Sequence, residues 1–209
     1  MTLFLVYIIL IIACLVACTT NRQYLLATYR YFQILFIAVL LFELSGLAIE
    51  REYNNVIDHF YQPLEFILIT LIYKNILRNK VLNRYWLVIV PLFLITSFYL
   101  SIFIEGLHMP NTYSFLLGST IIVLYALIYV YELYANPPEH SSLFTNPYFW
   151  INTGNLFFYC GTFFQMGLSA YIARDNETLA KELSIIIKLL NYALYSLYLI
   201  GFLCKKIFL

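Results

Sequence analysis

Charge is what this chain has least of. Only 11% of its 209 residues are charged and 63% are hydrophobic, whereas a soluble domain carries about 25% charged residues. Such a composition belongs in a bilayer. A net charge of +1 excludes nucleic acid as a partner and argues against any strongly anionic one. Cysteine is sparse: Cys14, Cys18, Cys160 and Cys204 all fall in apolar stretches without a CxxC, so neither a disulfide framework nor a zinc framework can be read from them. The three histidines are His59, His108 and His140. They belong to different ends of the expected helices, which excludes a membrane zinc hydrolase that gathers its ligands at one depth. GxSxG and HExxH are also absent, removing two common hydrolase signatures. No metal site is expected.

What remains is a series of long apolar runs. A membrane-spanning helix needs about 20 predominantly apolar residues, and seven segments reach or approach that length. They are Thr2 to Thr19, Tyr29 to Ile49, His59 to Leu77, Tyr85 to Ile104, Tyr113 to Tyr134, Tyr148 to Ala173 and Leu183 to Cys204. The connections leave no room for a soluble domain. The expected fold is therefore a single all-α domain over residues 1–209, a seven-transmembrane-helix bundle.

Orientation follows from Lys and Arg, which concentrate on the cytoplasmic side. With the N-terminus outside, the inner side holds Arg22, Arg30, Lys74, Arg78, Lys80, Arg84, Lys205 and Lys206, and the outer side only Arg51, Arg174 and Lys181. The N-terminus is expected outside and the C-terminus in the cytoplasm, in a bacterial inner membrane. The stretch "LVACTT" resembles a lipoprotein cleavage box at Cys18. However, a signal peptide opens with positive charge, "MTLFLVY" has none, and cleavage would reverse the charge bias. The first apolar stretch reads as a retained helix.

Loop chemistry supports these boundaries. In "TNPYFW", Asn146 is placed to cap a helix whose first residue is Pro147, where the missing N–H costs nothing. Many tyrosines, among them Tyr53, Tyr85, Tyr113, Tyr134 and Tyr148, stand near expected helix ends, as an interfacial belt requires. The basic loop Arg78–Arg84 and the proline-rich loop Pro137–Pro147 are the expected surfaces for a membrane or cytoplasmic protein partner. Lipid is the other expected partner.

Ionisable residues inside a span are costly and usually face the bundle interior. Glu43, Glu65 and Lys188 are such residues, each roughly 9–10 Å below the expected outer surface at 1.5 Å per residue. Gln165 and Asn191 share that layer. Asp58, Gln62 and Glu65 recur at i, i+4 and i+7 on one helix face. Pro63 cannot donate to the carbonyl of His59, leaving that oxygen beside the cluster. The expected ligand-binding set is Glu43, His59, Gln62, Glu65, Gln165, Lys188 and Asn191. Gly154 and Gly161, seven residues apart on one stripe, are expected to let a neighbouring helix approach closely. Asn152 and Asn155 read as interhelical hydrogen-bond partners.

Lys188 in the seventh helix facing a third-helix carboxylate suggests a retinal protein, but Trp86 and Trp150 lie near the other ends of their helices, so the aromatic box is missing. No cofactor is identified. An acid–base enzyme on Glu43 and Glu65 stays open, because neighbouring buried carboxylates split their proton affinities, although enzymatic activity is not the leading expectation.

Two stretches carry a resemblance. "NNVIDHFYQPLEF" holds His59, Tyr61, Pro63 and Glu65, and "NPYFWINTGNLFFYCG" holds Asn146, Pro147, Trp150, Gly154 and Gly161. With the seven-helix layout, they resemble uncharacterised small bacterial integral membrane proteins similar in plan to the seven-helix sensor regions of membrane histidine kinases. The resemblance bears on the fold more than on the function, and a sensing role would require a separate partner for its output. The leading expectation is a sensor-like or ligand-binding module with a polar pocket in the outer half of the bilayer. A small-solute transporter, an intramembrane lipid-modifying enzyme and a structural subunit are the alternatives.

Overall fold

A computed structural model of the chain describes residues 2–78, 82–137, 142–172 and 177–207. Among them there are seven α-helices and no strand: α1 (Thr2–Thr20), α2 (Tyr29–Ala48), α3 (Arg51–Ile76), α4 (Leu82–Tyr99), α5 (Thr112–Ala135), α6 (Pro147–Ile172) and α7 (Glu177–Ile207). A π-helical turn, Leu100–Glu105, prolongs α4. Four helical segments are long and apolar enough to cross a membrane, namely Tyr29–Ala48, Arg84–Glu105, Thr112–Ala135 and Ile185–Lys205. Phe4–Thr20 is apolar but shorter. Parts of both expected docking loops, residues 79–81 and 138–141, lie outside the described residues.

The helices group into two compact units, one of residues 18–118 and one of residues 1–17 with 119–209. In the first, α2 and α3 form a hairpin across the extended pair Ile49 and Glu50. Phe42 stacks on Tyr61 at 4.5 Å, and the Ser45 hydroxyl donates to Asn54 Oδ1 at 3.1 Å. α3 continues through Pro63 and α4 through Pro91. Each proline removes one helical N–H, a loss that membrane helices tolerate where neighbours surround the freed carbonyl. Phe66 of α3 stacks on Phe93 of α4 at 3.8 Å. Gly118 of α5 lies over this pair, where a Cβ would come within 3.3 Å of Phe93. Cys18 is fully buried in the last turn of α1, its Sγ 3.5 Å from the carbonyl of Tyr29.

In the second unit α6 and α7 pack along most of their length. Asn146 Oδ1 accepts from the N–H of Tyr148 at 3.0 Å and so caps α6. Small residues set the helix separation. Gly154 meets Leu194 and Leu197, and Gly161 meets the side-chain tip of Leu190. From the other side, Gly201 of α7 lies against the Pro147 carbonyl, Trp150 and Ile151. The Tyr198 hydroxyl donates to Asn155 Oδ1 in the buried seam, and Asn152 donates to the Ala126 carbonyl at 3.3 Å. The N-terminal part of α1 joins through Tyr7, edge-on to Tyr192 and Tyr195, and through Cys14, whose thiol donates to the Tyr195 carbonyl at 3.2 Å.

The glycines are not equivalent. A Cβ on Gly201 would stand 2.9 Å from the Pro147 carbonyl oxygen, a backbone atom that cannot swing aside, whereas Gly167 has nothing within 4 Å. Gly201→Ala is therefore expected to destabilise the protein by about 1–3 kcal/mol, as overpacking does. Gly167→Ala is expected to be neutral or to stabilise by up to about 1 kcal/mol through helix propensity. Thermal unfolding in detergent, followed by circular dichroism, distinguishes the two, and equal melting temperatures would contradict this difference.

Candidate functional site

The polar face of α3 is the most heavily built feature of the first unit. Asp58 and Gln62, one turn apart, are joined by a hydrogen bond of 2.9 Å from Gln62 Nε2 to Asp58 Oδ2. Glu65 continues the face. Asp58 stands one residue before the expected span, and its carboxyl is pushed up to about 7. Burial is the largest cause, followed by the Glu65 carboxylate. The Gln62 hydrogen bond works in the opposite direction, and Glu105 adds a further upward push.

His59 points to a different neighbour. It is 1% exposed, with Nδ1 2.7 Å from the Ser101 hydroxyl and Nε2 3.0 Å from the Met109 carbonyl. A carbonyl can only accept, so Nε2 carries the proton and, on a neutral ring, the Ser101 hydroxyl donates to Nδ1. His59 thereby ties α3 to the π turn and to the connection between that turn and α5. Asn55 adds a second tie, donating to the His108 carbonyl at 2.7 Å.

The π turn sets where the connection begins. Its closing bond runs from the Gly106 N–H to the Ser101 carbonyl at 3.0 Å, and Gly106 then reverses the chain at φ +84°. The extra residue in such a turn re-aims the side chains beyond it. Here it brings Glu105 to the start of α5, where Oε1 accepts from the N–H groups of Thr112 and Tyr113 at 2.8 and 3.0 Å. A carboxylate at a helix N-terminus satisfies orphan donors and meets the positive end of the dipole.

Beside this cap the polar groups are not fully satisfied. Glu105 Oε2 and Gln62 Oε1 are buried without a hydrogen-bond partner among the described residues. Asn111 is 1% exposed, and neither its amide nitrogen nor its oxygen is bonded among those residues. Buried polar groups are nearly always paired with protein or water. Gln62, Glu105 and Asn111 are therefore candidates to hold water or a polar ligand. Among the described residues no group of three His, Cys, Asp or Glu side chains converges as a metal ion would require.

Comparison with family models, with curated proteins and with solved structures finds no match.

The expected residues distribute unevenly. His59, Gln62 and Glu65 lie on α3, and Glu43 is half-buried on α2. The contacts between residues 42 and 61 and between 45 and 54 fix the hairpin register. That register sets Glu43 level with Asp58, while Glu65 is about 10 Å further along α3 at 1.5 Å per residue. Gln165, Lys188 and Asn191 belong to the other unit: Gln165 is buried, Asn191 half-buried and Lys188 exposed. Ser101, Glu105 and Asn111 are not expected from the sequence. The one available signal is an acidic residue, Glu105, shortly before a helix start at Thr112.

The Asp58 shift gives stability a direction with pH. A carboxyl whose folded pKa of about 7 lies above its ordinary value of 3.8 stabilises the folded state fully below the lower value. That contribution fades as pH rises through the higher one. The melting temperature of the wild type is expected to fall between about pH 4 and pH 7 by the share due to Asp58. In Asp58→Asn that share vanishes, leaving a flatter profile with a higher melting temperature at pH 8. Parallel profiles for the two proteins would refute the assignment.

Proposed function

We propose that this chain is a sensor-like, ligand-binding module of a bacterial cytoplasmic membrane, a seven-span bundle with its N-terminus outside and its C-terminus in the cytoplasm. Four helices apolar enough to cross a membrane support the multi-pass reading, and the Lys and Arg distribution supports the orientation. The binding site lies toward the outer side, on the α3 face of Asp58, Gln62 and Glu65, closed by the connection that holds Glu105 and Asn111.

One observation carries this reading: a carboxyl pushed up to about 7 and hydrogen-bonded to a carboxamide whose oxygen has no partner among the described residues. Charged Asp58 accepts from Gln62 Nε2 and leaves Gln62 Oε1 without a donor. Protonated Asp58 can donate to that oxygen once the amide turns over. The site therefore has two hydrogen-bonded arrangements, and a proton or a small polar cation selects between them. A transport path is less well supported, because Asn152 and Asn155, which would continue a polar route inward, hold Ala126 and Tyr198 in the packing of their own unit.

Hydrogen exchange on the protein in nanodiscs, at pH 6 and pH 8 with the intrinsic rate difference removed, tests the proposal. Residues 51–62 and 100–112 are expected to be more protected at pH 6 in the wild type. Asp58→Asn is expected to stay in the protected form at both values. Glu65→Gln removes a charge that raises the Asp58 pKa and should move the transition to lower pH. Protection that is independent of pH in the wild type, or that changes equally in Asp58→Asn, would reject the reading.

A further inference from the structure

A cleft of about 310 Å³ opens in the second unit at the C-terminal end of α5, a size within the range of small-molecule sites. Val130, Leu133 and Tyr134 of α5 form one wall, and Leu143 and Phe149 face them. Three polar groups in the lining are already engaged. Asn152 Nδ2 donates to the Ala126 carbonyl at 3.3 Å, Thr153 Oγ1 donates to the Phe149 carbonyl at 2.7 Å, and the Tyr129 hydroxyl accepts from Asn146 Nδ2 at 3.2 Å. The interior thus offers hydrocarbon contact and few hydrogen bonds, which disfavours a sugar, a nucleotide or an ion and suits an aliphatic chain.

The surroundings of the mouth identify the source of such a chain. Leu124, Leu127, Tyr131 and Tyr134 recur along one face of α5, all exposed, and α5 is apolar enough to cross a membrane. An exposed apolar stripe on such a helix faces lipid. The level within the bilayer is marked as well. The rings of Phe144 and Trp150 meet at a tilt with centroids 5.8 Å apart, the Trp150 indole donates to the Phe144 carbonyl at 2.9 Å, and Tyr134 is 85% exposed at the end of α5. Aromatic side chains with a polar edge collect at headgroup depth. At the same level the basic end of α7 reaches the turn that carries Leu143. Cys204 Sγ lies 3.4 Å from the Thr145 carbonyl, and Lys205 follows directly.

We propose that this cleft is a phospholipid site: it holds one acyl chain of an anionic glycerophospholipid, whose phosphate lies toward Lys205. The site depends on neither the acidic face of α3 nor the sensing role, and it stands or falls independently of them.

The experiment is native mass spectrometry of the intact protein in detergent, titrated with dioleoyl-phosphatidylglycerol and, separately, with dioleoyl-phosphatidylcholine. The wild type is expected to retain one phosphatidylglycerol after delipidation. Leu133→Trp, which fills the cleft, is expected to weaken that binding about tenfold or more, the size of effect expected when about 1.4 kcal/mol of contact is lost. Leu124→Ala, on the same lipid-facing stripe but outside the cleft, is expected to leave it unchanged. Lys205→Gln should remove the preference for phosphatidylglycerol over phosphatidylcholine. Should Leu133→Trp fail to fold, Thr153→Leu fills the same space. Brominated acyl chains should also quench Trp150 in a Trp86→Phe background at the stoichiometry of the retained lipid. Equal lipid affinity in wild type and the filled variants would overturn the proposal, as would no retained lipid in the wild type. A preference for phosphatidylglycerol unchanged in Lys205→Gln would overturn the assignment of the headgroup.

Discussion

In hydrocarbon a backbone N–H or C=O without a partner costs several kcal/mol, and much of this molecule follows from that constraint. It explains why the described residues are almost all helical and why the interruptions occur where other groups can take over the lost bonds. Pro63 and Pro91 sit within helices that continue past them. At the end of α4, where a simple α-helical end would leave carbonyls open, the chain takes a π turn and closes it at Gly106. At the start of α5 the free N–H groups of Thr112 and Tyr113 are met by a carboxylate from that same π turn. The polar cluster is thus an outgrowth of backbone satisfaction: the carboxylate that caps a helix also supplies negative charge beside α3.

Between the helices, association in lipid lacks the hydrophobic drive available in water and depends on close packing. In the second unit the α6–α7 seam supplies it through Gly154, Gly161 and Gly201, with the buried Tyr198–Asn155 hydrogen bond fixing one register. In the first unit aromatic stacking has the corresponding role: Phe42 on Tyr61, and Phe66 on Phe93 beneath Gly118. One unit uses the absence of side chains to bring helices together and the other uses flat ones.

The apolar runs made most of the helices legible, because a span is defined by the same hydrophobic length that the bilayer demands. α3 is the instructive exception. Its apolar run begins at His59, but the helix begins at Arg51, because residues 51–58 are mostly polar and a search for apolar runs does not register a polar helical turn. That earlier start is why Glu43 and Glu65, though similarly far from the ends of their apolar runs, are not at one level. The Asp58–Gln62–Glu65 face was legible from helical spacing alone. Glu105 and Asn111 were not, because their positions depend on a π turn, and one extra residue in a helix leaves no pattern in composition. Gly201 escaped notice for a related reason: a single glycine has no stripe to announce it, and its importance comes from a carbonyl on another helix.

The π turn also separates two properties of a chain that usually change together, its length and its angular phase. Over Leu100–Glu105 the helix carries one residue more than an α-helix would for the same hydrogen-bond pattern. A natural relative lacking that residue could keep α4, α5 and the span between them, since ordinary α-helical bonds would simply resume. Every side chain after the deletion would nevertheless be turned by about 100°, carrying Glu105 away from the start of α5. Length variation at this point is therefore the simplest route by which such a fold could discard its acidic site while remaining a helix bundle.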